Sequence, residues 1–174
     1  RCSPFSPSRG RERYADARQN YDRAITLIGK PGREHWSLYY ARGVCGERMK
    51  DWRAAELDLK KALELSPEES SVLNCHGYTW VDQNENLKTA MDYIRKAVKL
   101  KPDDGYYVDS LGWAYYRLGD MKSAVEHLER AVELRPDDPV INDHLGDAYW
   151  QVGRRLEAKY QWQQSLTLKP DKDL

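Results

Sequence analysis

The chain of 174 residues carries few of the patterns that chemistry uses. It has no glycine-rich phosphate loop, no His-Glu-x-x-His, no Gly-x-Ser-x-Gly and no calcium-loop pattern, so no catalytic residue and no cofactor is expected. It has no net charge, because 28 lysines and arginines face 28 aspartates and glutamates. No global field draws in nucleic acid, which is set aside as a partner. No stretch approaches the roughly 18 uncharged apolar residues that cross a bilayer, and the amino terminus lacks the apolar core of a signal peptide. No membrane insertion is expected. Cysteine is scarce as well: Cys2, Cys45 and Cys75 are odd in number and widely separated. That pattern argues against a disulfide framework and against paired-cysteine metal sites, so reduced thiols are expected. Cys75-His76 and Glu126-His127 are adjacent pairs, and helical neighbours diverge by about 100° and do not easily share one metal. Both read as packing residues, and no metal site is expected.

What the chain does have is a ladder of prolines. Pro31, Pro67, Pro102, Pro136 and Pro170 recur every 34 to 36 residues, a period that marks a stacked helical array. Such an array buries its apolar surface between neighbouring repeats, so its length counts repeats rather than domains. With 40% hydrophobic and 32% charged residues, the composition is that of a thin two-layer array, richer in charge than an average domain. The last two units match in pattern. Each has Leu-Gly near its start (Leu111-Gly112, Leu145-Gly146), a tyrosine three residues later (Tyr115, Tyr149), a turn glycine (Gly119, Gly153), an alanine (Ala124, Ala158) and a closing proline. Gly112 and Gly146 lack a Cβ and let the second helix come close. Pro102 and Pro136 stop helices whose last residues are basic, and Asp103-Asp104 and Asp137-Asp138 can cap the next ones.

These residues resemble the tetratricopeptide repeat family, whose helix-turn-helix unit of about 34 residues carries Leu-Gly-Tyr, Ala, Ala and Pro in these places. The resemblance implies an all-α fold, a right-handed superhelical solenoid of helix-turn-helix repeats. Four repeats are expected: 36–69, 70–104 with one extra residue in the turn QNENL, 105–138 and 139–172. In the first, Gly46 stands where a large residue is usual, and a gap is expected there. In the second, His76 and Trp80 replace the usual leucine and tyrosine. Residues 11–31 read as the second helix of a truncated repeat, residues 1–10 as a linker or remnant, and no capping helix is expected at the end. From Trp36 onward the chain is similar to the carboxy-terminal part of large proteobacterial repeat proteins.

The resemblance further implies that the first helix of each repeat lines the concave side. Steps of three, four and three pick out one stripe per first helix: Ser37, Tyr40, Val44 and Glu47; Ser71, Asn74, Tyr78 and Val81; Tyr106, Asp109, Trp113 and Tyr116; Val140, Asp143, Asp147 and Trp150. Stacked, they build one groove. Tyr40, Val44, Asn74, Tyr78, Trp113, Tyr116 and Trp150 supply buried area, some with a polar handle, and Asp109, Asp143 and Asp147 make the groove acidic. A protein or peptide partner of basic or basic-aromatic character is expected. Heat-shock-binding members of the family clamp a terminal carboxylate with Lys, Arg and Asn; only Asn74 resembles that clamp, and the subclass is rejected. Trp80 and Trp162 fall at core positions.

A non-catalytic interaction scaffold is therefore the expected function. The alternative is a self-assembly module, in which the last helix, with Leu156, Tyr160 and Leu166, and the helix from Arg13 to Ile28 complete their packing on another copy, giving a homo-oligomer. Reduced thiols suit the cytoplasm; a full-length bacterial chain with an export signal would place the array in the periplasm or envelope.

Overall fold

The computed structural model describes Cys2 and residues 11–168. Apart from Cys2, the expected linker over residues 1–10 lies outside the described residues. So does the stretch 169–174 with Pro170 and whatever follows the last helix. Among the described residues every regular element is helical: α1 (Arg11–Ile28), a 3-10 turn (Arg33–His35), α2 (Trp36–Arg48), α3 (Trp52–Leu65), α4 (Ser70–Asp82), α5 (Leu87–Leu100), α6 (Gly105–Leu118), α7 (Met121–Leu134), α8 (Pro139–Gln151) and α9 (Arg155–Thr167). They form a right-handed superhelical array of helix-turn-helix units.

Local chemistry sets the boundaries. Each hairpin turns through a left-handed residue placed seven positions after the glycine of its first helix: Lys50 (φ 60°), Asn84 (φ 58°), Gly119 (φ 83°) and Gly153 (φ 82°). Between that left-handed residue and the next helix the α4–α5 turn has one residue more than its counterparts, and it contains a second left-handed residue, Asn86 at φ 46°. Asparagine tolerates that region better than most side-chain-bearing residues. The outer helices end just before proline, where Ser66, Lys101 and Arg135 adopt φ of −143°, −141° and −140°, as the proline ring demands of its predecessor. Asp51, Asp104, Asp120 and Asp138 then cap the following helices through their carboxylates, satisfying amides that the first turn leaves without intrahelical partners.

Within each hairpin the two helices meet at glycine. A methyl group at Gly112 would lie 2.7 Å from Leu128 Cγ, one at Gly77 2.7 Å from Ile94 Cγ1 and 2.9 Å from the Ala90 carbonyl oxygen, and one at Gly146 2.5 Å from the Trp162 ring. The missing Cβ is the space into which Ile94, Leu128 or Trp162 packs. Between hairpins, inner helices approach one another (α2 to α4, α4 to α6, α6 to α8) within 8 Å Cα to Cα, whereas among the described residues no two of α3, α5, α7 and α9 do. Inner helices that touch and outer helices that splay produce curvature, with α2, α4, α6 and α8 on the concave side. The core is distributed accordingly. Trp80, Val81, Ala90 and Ile94 of one hairpin pack on Leu111 and Ala114 of the next, and Leu128 packs with Leu145, Ala148, Tyr149 and Ala158.

Two sequence expectations are corrected. No gap forms beside Gly46; it is buried, and a Cβ there would sit 3.1 Å from the Ala55 amide nitrogen, so α2 and α3 close up where the large residue is absent. The thiols are not all reduced, because Cys2 and Cys75 form a disulfide across 73 residues and Cys45 alone is free, buried in α2. Spacing in sequence carried no sign of this pair; the stacking of α4 on α2 presents Cys75 at the seam where Cys2 lies. Burial raises the Cys45 thiol pKa. His76 is buried against Trp80 (ring centroids 3.9 Å apart) and Tyr93 (5.5 Å), and burial pulls its pKa down to about 4. The helix expected from Arg13 packs on α2 and is pinned by Arg18 to Asp51 (2.8 Å) and by Arg42, which bonds both Asp22 (2.8 Å) and Asp58 (2.6 Å).

The glycine contacts can be tested directly. Gly77→Ala forces a methyl against a backbone carbonyl as well as Ile94, and overpacking of that kind costs about 1–3 kcal/mol. Urea unfolding should show that loss, and a variant as stable as wild type would mean that α4 and α5 are not in close contact at this point.

Candidate functional site

The three stripe positions compared across the inner helices fall into three states. On α4, Asn74, Tyr78 and Val81 are all buried. On α6, Asp109 is buried while Trp113 and Tyr116 are half-buried, and on α8 Asp143 and Asp147 are half-buried and Trp150 is exposed. Tyr40 and Val44 of α2 are half-buried. Over these positions the concave surface is open at the α6–α8 end and covered at α4, where of the stripe Ser71 alone is half-buried.

At the open end the side chains are organised around one buried carboxylate–imidazole contact. Asp109 Oδ1 lies 2.9 Å from His144 Nδ1, with both residues removed from solvent. His144 stacks on Trp113 (centroids 4.1 Å apart, planes 9° apart), and Trp113 stacks on Tyr116 (4.6 Å, 7°). Asp109 Oδ2 and Trp113 Nε1 are buried without a partner. Asp109, expected to select positive charge in the groove, is buried and engaged with the imidazole that carries the Trp113 stack. Asp147 accepts a hydrogen bond from Trp162 Nε1 at 3.1 Å, so Trp162, a core residue, also fixes a groove carboxylate. Asp143 lies beside Asp147, and burial together with that like charge raises its pKa. Trp150 lies against Trp162 (5.5 Å) and beneath the Arg155 guanidinium (4.3 Å).

Nearer the middle of the array a cavity of about 520 Å³ opens among Tyr40, Ser71 and Asn74 of α2 and α4, Tyr106 of α6, and Lys101 and Arg135. Arg135 lies over the Tyr106 ring at 4.6 Å and donates to the Tyr106 hydroxyl at 2.6 Å. This brings Tyr40 and Asn74 together but adds cations that the stripe analysis missed. Lys101 and Arg135 directly precede Pro102 and Pro136, and their position as the last residue before a helix-ending proline was the available signal. Leu156, Tyr160 and Leu166 lie on α9, exposed at 81%, 61% and 72%. Among the described residues, no group of three or more His, Cys, Asp or Glu is placed to hold a metal ion.

Paired helices with glycine contacts, curved so that one helix of each pair lines the concave face, define a helical-repeat interaction protein. Comparison with known proteins agrees. Family models described as tetratricopeptide repeat match residues 9–70 and 82–104, and one described as TPR repeat matches 110–153. The chain belongs to the tetratricopeptide repeat family. It is 36% identical over 88 residues, 51% of its length, to TPR repeat-containing protein PA4667 of Pseudomonas aeruginosa, and spans 15% of that relative. Its fold is similar to that of TTC0263, a thermophilic TPR protein of Thermus thermophilus (TM-score 0.75, 21% identity, 92% of this chain and 86% of that one). It also resembles MamA from Desulfovibrio magneticus RS-1 (0.66, 19%, 92% and 98%). A third similar structure is YrrB, described as a TPR protein with an unusual peptide-binding site (0.65, 20%, 93% and 81%).

The buried pair generates its own prediction. His144→Leu leaves the buried Asp109 side chain without its partner, and stranding a buried polar group costs about 1–3 kcal/mol. Asp109→Leu combined with His144→Leu should recover most of that loss in urea unfolding. A single variant within about 0.5 kcal/mol of wild type would show that the pair does not organise the stack.

Proposed function

We propose that this array is a scaffold that binds an extended or helical segment of another protein along its concave face, entering at the α6–α8 end. The observation that carries this reading is the run of half-buried to exposed aromatic and acidic side chains on α6 and α8, namely Trp113, Tyr116, Asp143, Asp147 and Trp150. Aromatic rings contribute apolar area with little conformational freedom to lose, which favours them at recognition surfaces. Asp143 and Asp147 stand four residues apart on one face, and the Asp143 pKa is raised first by burial and then by the like charge of Asp147, a charge that a cation would offset. A basic or basic-aromatic segment is the ligand. The peptide site in YrrB's description adds support for a groove of this kind. Trp150 makes the aromatic contact and Asp143 the charge contact, since Trp113 and Asp147 are also engaged in packing.

The test is a peptide array graded from acidic to basic, with and without aromatic residues. Wild type should prefer basic-aromatic peptides, and Trp150→Ala with Asp143→Lys should weaken them at least tenfold, about 1.4 kcal/mol, with helicity unchanged. Affinity that ignores peptide charge would overturn the assignment.

The exposure of Leu156, Tyr160 and Leu166 favours a second reading, in which α9 packs on another copy of the chain. Light scattering over a concentration series should then show mass rising with concentration and reverting for Leu156→Glu. A monomer at every concentration removes this reading.

A further inference from the structure

The central cavity carries the charge that the α8 end of the groove lacks. Two of its walls are Lys101 and Arg135, the cap residues of α5 and α7. Arg135 reaches it across the amino-terminal end of α6, where Gly105 has no Cβ: a methyl there would overlap Arg135 Cγ and lie 3.1 Å from Leu134 Cβ. The other inner helices begin with Trp36, Ser70 and Pro139, so α6 alone among them starts with a residue that leaves this passage. Beyond it the guanidinium lies on the Tyr106 ring at 4.6 Å and donates to the Tyr106 hydroxyl at 2.6 Å. Arginine carries five N–H donors. Here Nε is buried without an acceptor, although the side chain as a whole is only half-buried. Lys101, exposed, lies over the Tyr107 ring at 6.0 Å. Neither cation is in an ion pair among the described residues. The carboxylates at the rim are engaged elsewhere: Asp104 accepts from the Tyr106 amide at 3.0 Å as the cap of α6, and Asp103 pairs with Arg130 at 3.3 Å.

We propose that this cavity receives an acidic side chain of the same polypeptide segment whose basic residue meets Asp143, so that the ligand of the groove is bipolar. This rests on the peptide-binding reading above. A half-buried guanidinium with donors to spare, an ammonium on the same cavity and the start of α6 opening onto it all favour an anion. The Tyr106 ring holds the guanidinium in place, so the bond to a carboxylate costs little further ordering. Ser71 and Asn74 of α4 and Tyr106 of α6 border the cavity, and Asp143 stands on the next inner helix, α8. Packed helices lie about 8–10 Å apart, a span that an extended chain covers in about three residues. A glutamate or aspartate at about that separation from the basic residue satisfies both sites. The arrangement also sets the direction of the segment, because a reversed one brings acid to Asp143 and base to Arg135.

The test takes the best basic-aromatic peptide from the array, amidated so that it has no terminal carboxylate. Glutamate or glutamine is placed in turn at each neighbouring position on either side of its basic residue. Calorimetric titration into the whole chain should show glutamate binding tighter than glutamine by about tenfold or more at one spacing and on one side only. Lys101→Gln combined with Arg135→Gln should abolish that preference and leave the affinity for the glutamine peptide unchanged, with circular dichroism confirming the helices. Lys101→Glu, a change at an exposed residue, should remove the preference by itself and keeps the test decisive if Arg135→Gln disturbs the fold. Equal affinities for glutamate and glutamine at every position, or a preference that survives Lys101→Glu, overturn the cavity assignment and leave the groove reading standing. A parent peptide that does not bind the wild-type chain overturns the groove reading and this proposal with it.

Discussion

The contact between a glycine on each inner helix and a large side chain on its partner is the constraint from which the rest of this array follows. Ile94 on Gly77, Leu128 on Gly112 and Trp162 on Gly146 bring two helices closer than side-chain-bearing residues would allow. Close pairing narrows each hairpin into a wedge. Wedges whose inner helices touch while their outer helices do not must curve, and curvature gathers the stripe residues of four inner helices onto one surface. In Gly146 the same contact reaches the site itself, since the ring that fills its space, Trp162, also donates to Asp147.

Much of the fold was legible because the features that specify it are local and periodic. A proline fixes the residue before it, an aspartate caps the helix after it, and a glycine seven residues before each turn marks the helix contact. The longer turn after α4 was equally visible, and Asn84 and Asn86 are residue types suited to its two left-handed positions. What was not legible depends on distance between repeats. Periodicity placed Asp109, Asp143 and Asn74 at equivalent positions, yet one is buried against a histidine of the next repeat, one is half-buried beside a like charge, and one lines a cavity. Those differences arise from side chains a full repeat away in sequence, which a repeat pattern treats as interchangeable.

The disulfide is the extreme case. No spacing rule links residues 2 and 75; only the stacking of α4 on α2 does. The same holds for Arg135, a helix-terminal residue in sequence that in three dimensions lies over Tyr106 and faces the central cavity. Where a stripe position matters for binding is thus decided by which neighbour covers it, and the coverage runs from complete at Val81 to partial at Trp150, which is 37% exposed.

A solenoid ordinarily obeys nearest-neighbour statistics, with each unit coupled only to those beside it and unravelling free to start at either end. The bond from Cys2 to Cys75 breaks that symmetry. Together with the Arg42 and Arg18 ion pairs it laces α1 through α4 into a single block, while among the described residues α9 packs on α8 alone. The helices that bear the exposed groove residues, α6 and α8, lie outside this covalently tied block, so they keep the nearest-neighbour behaviour from which the α1–α4 end is exempt.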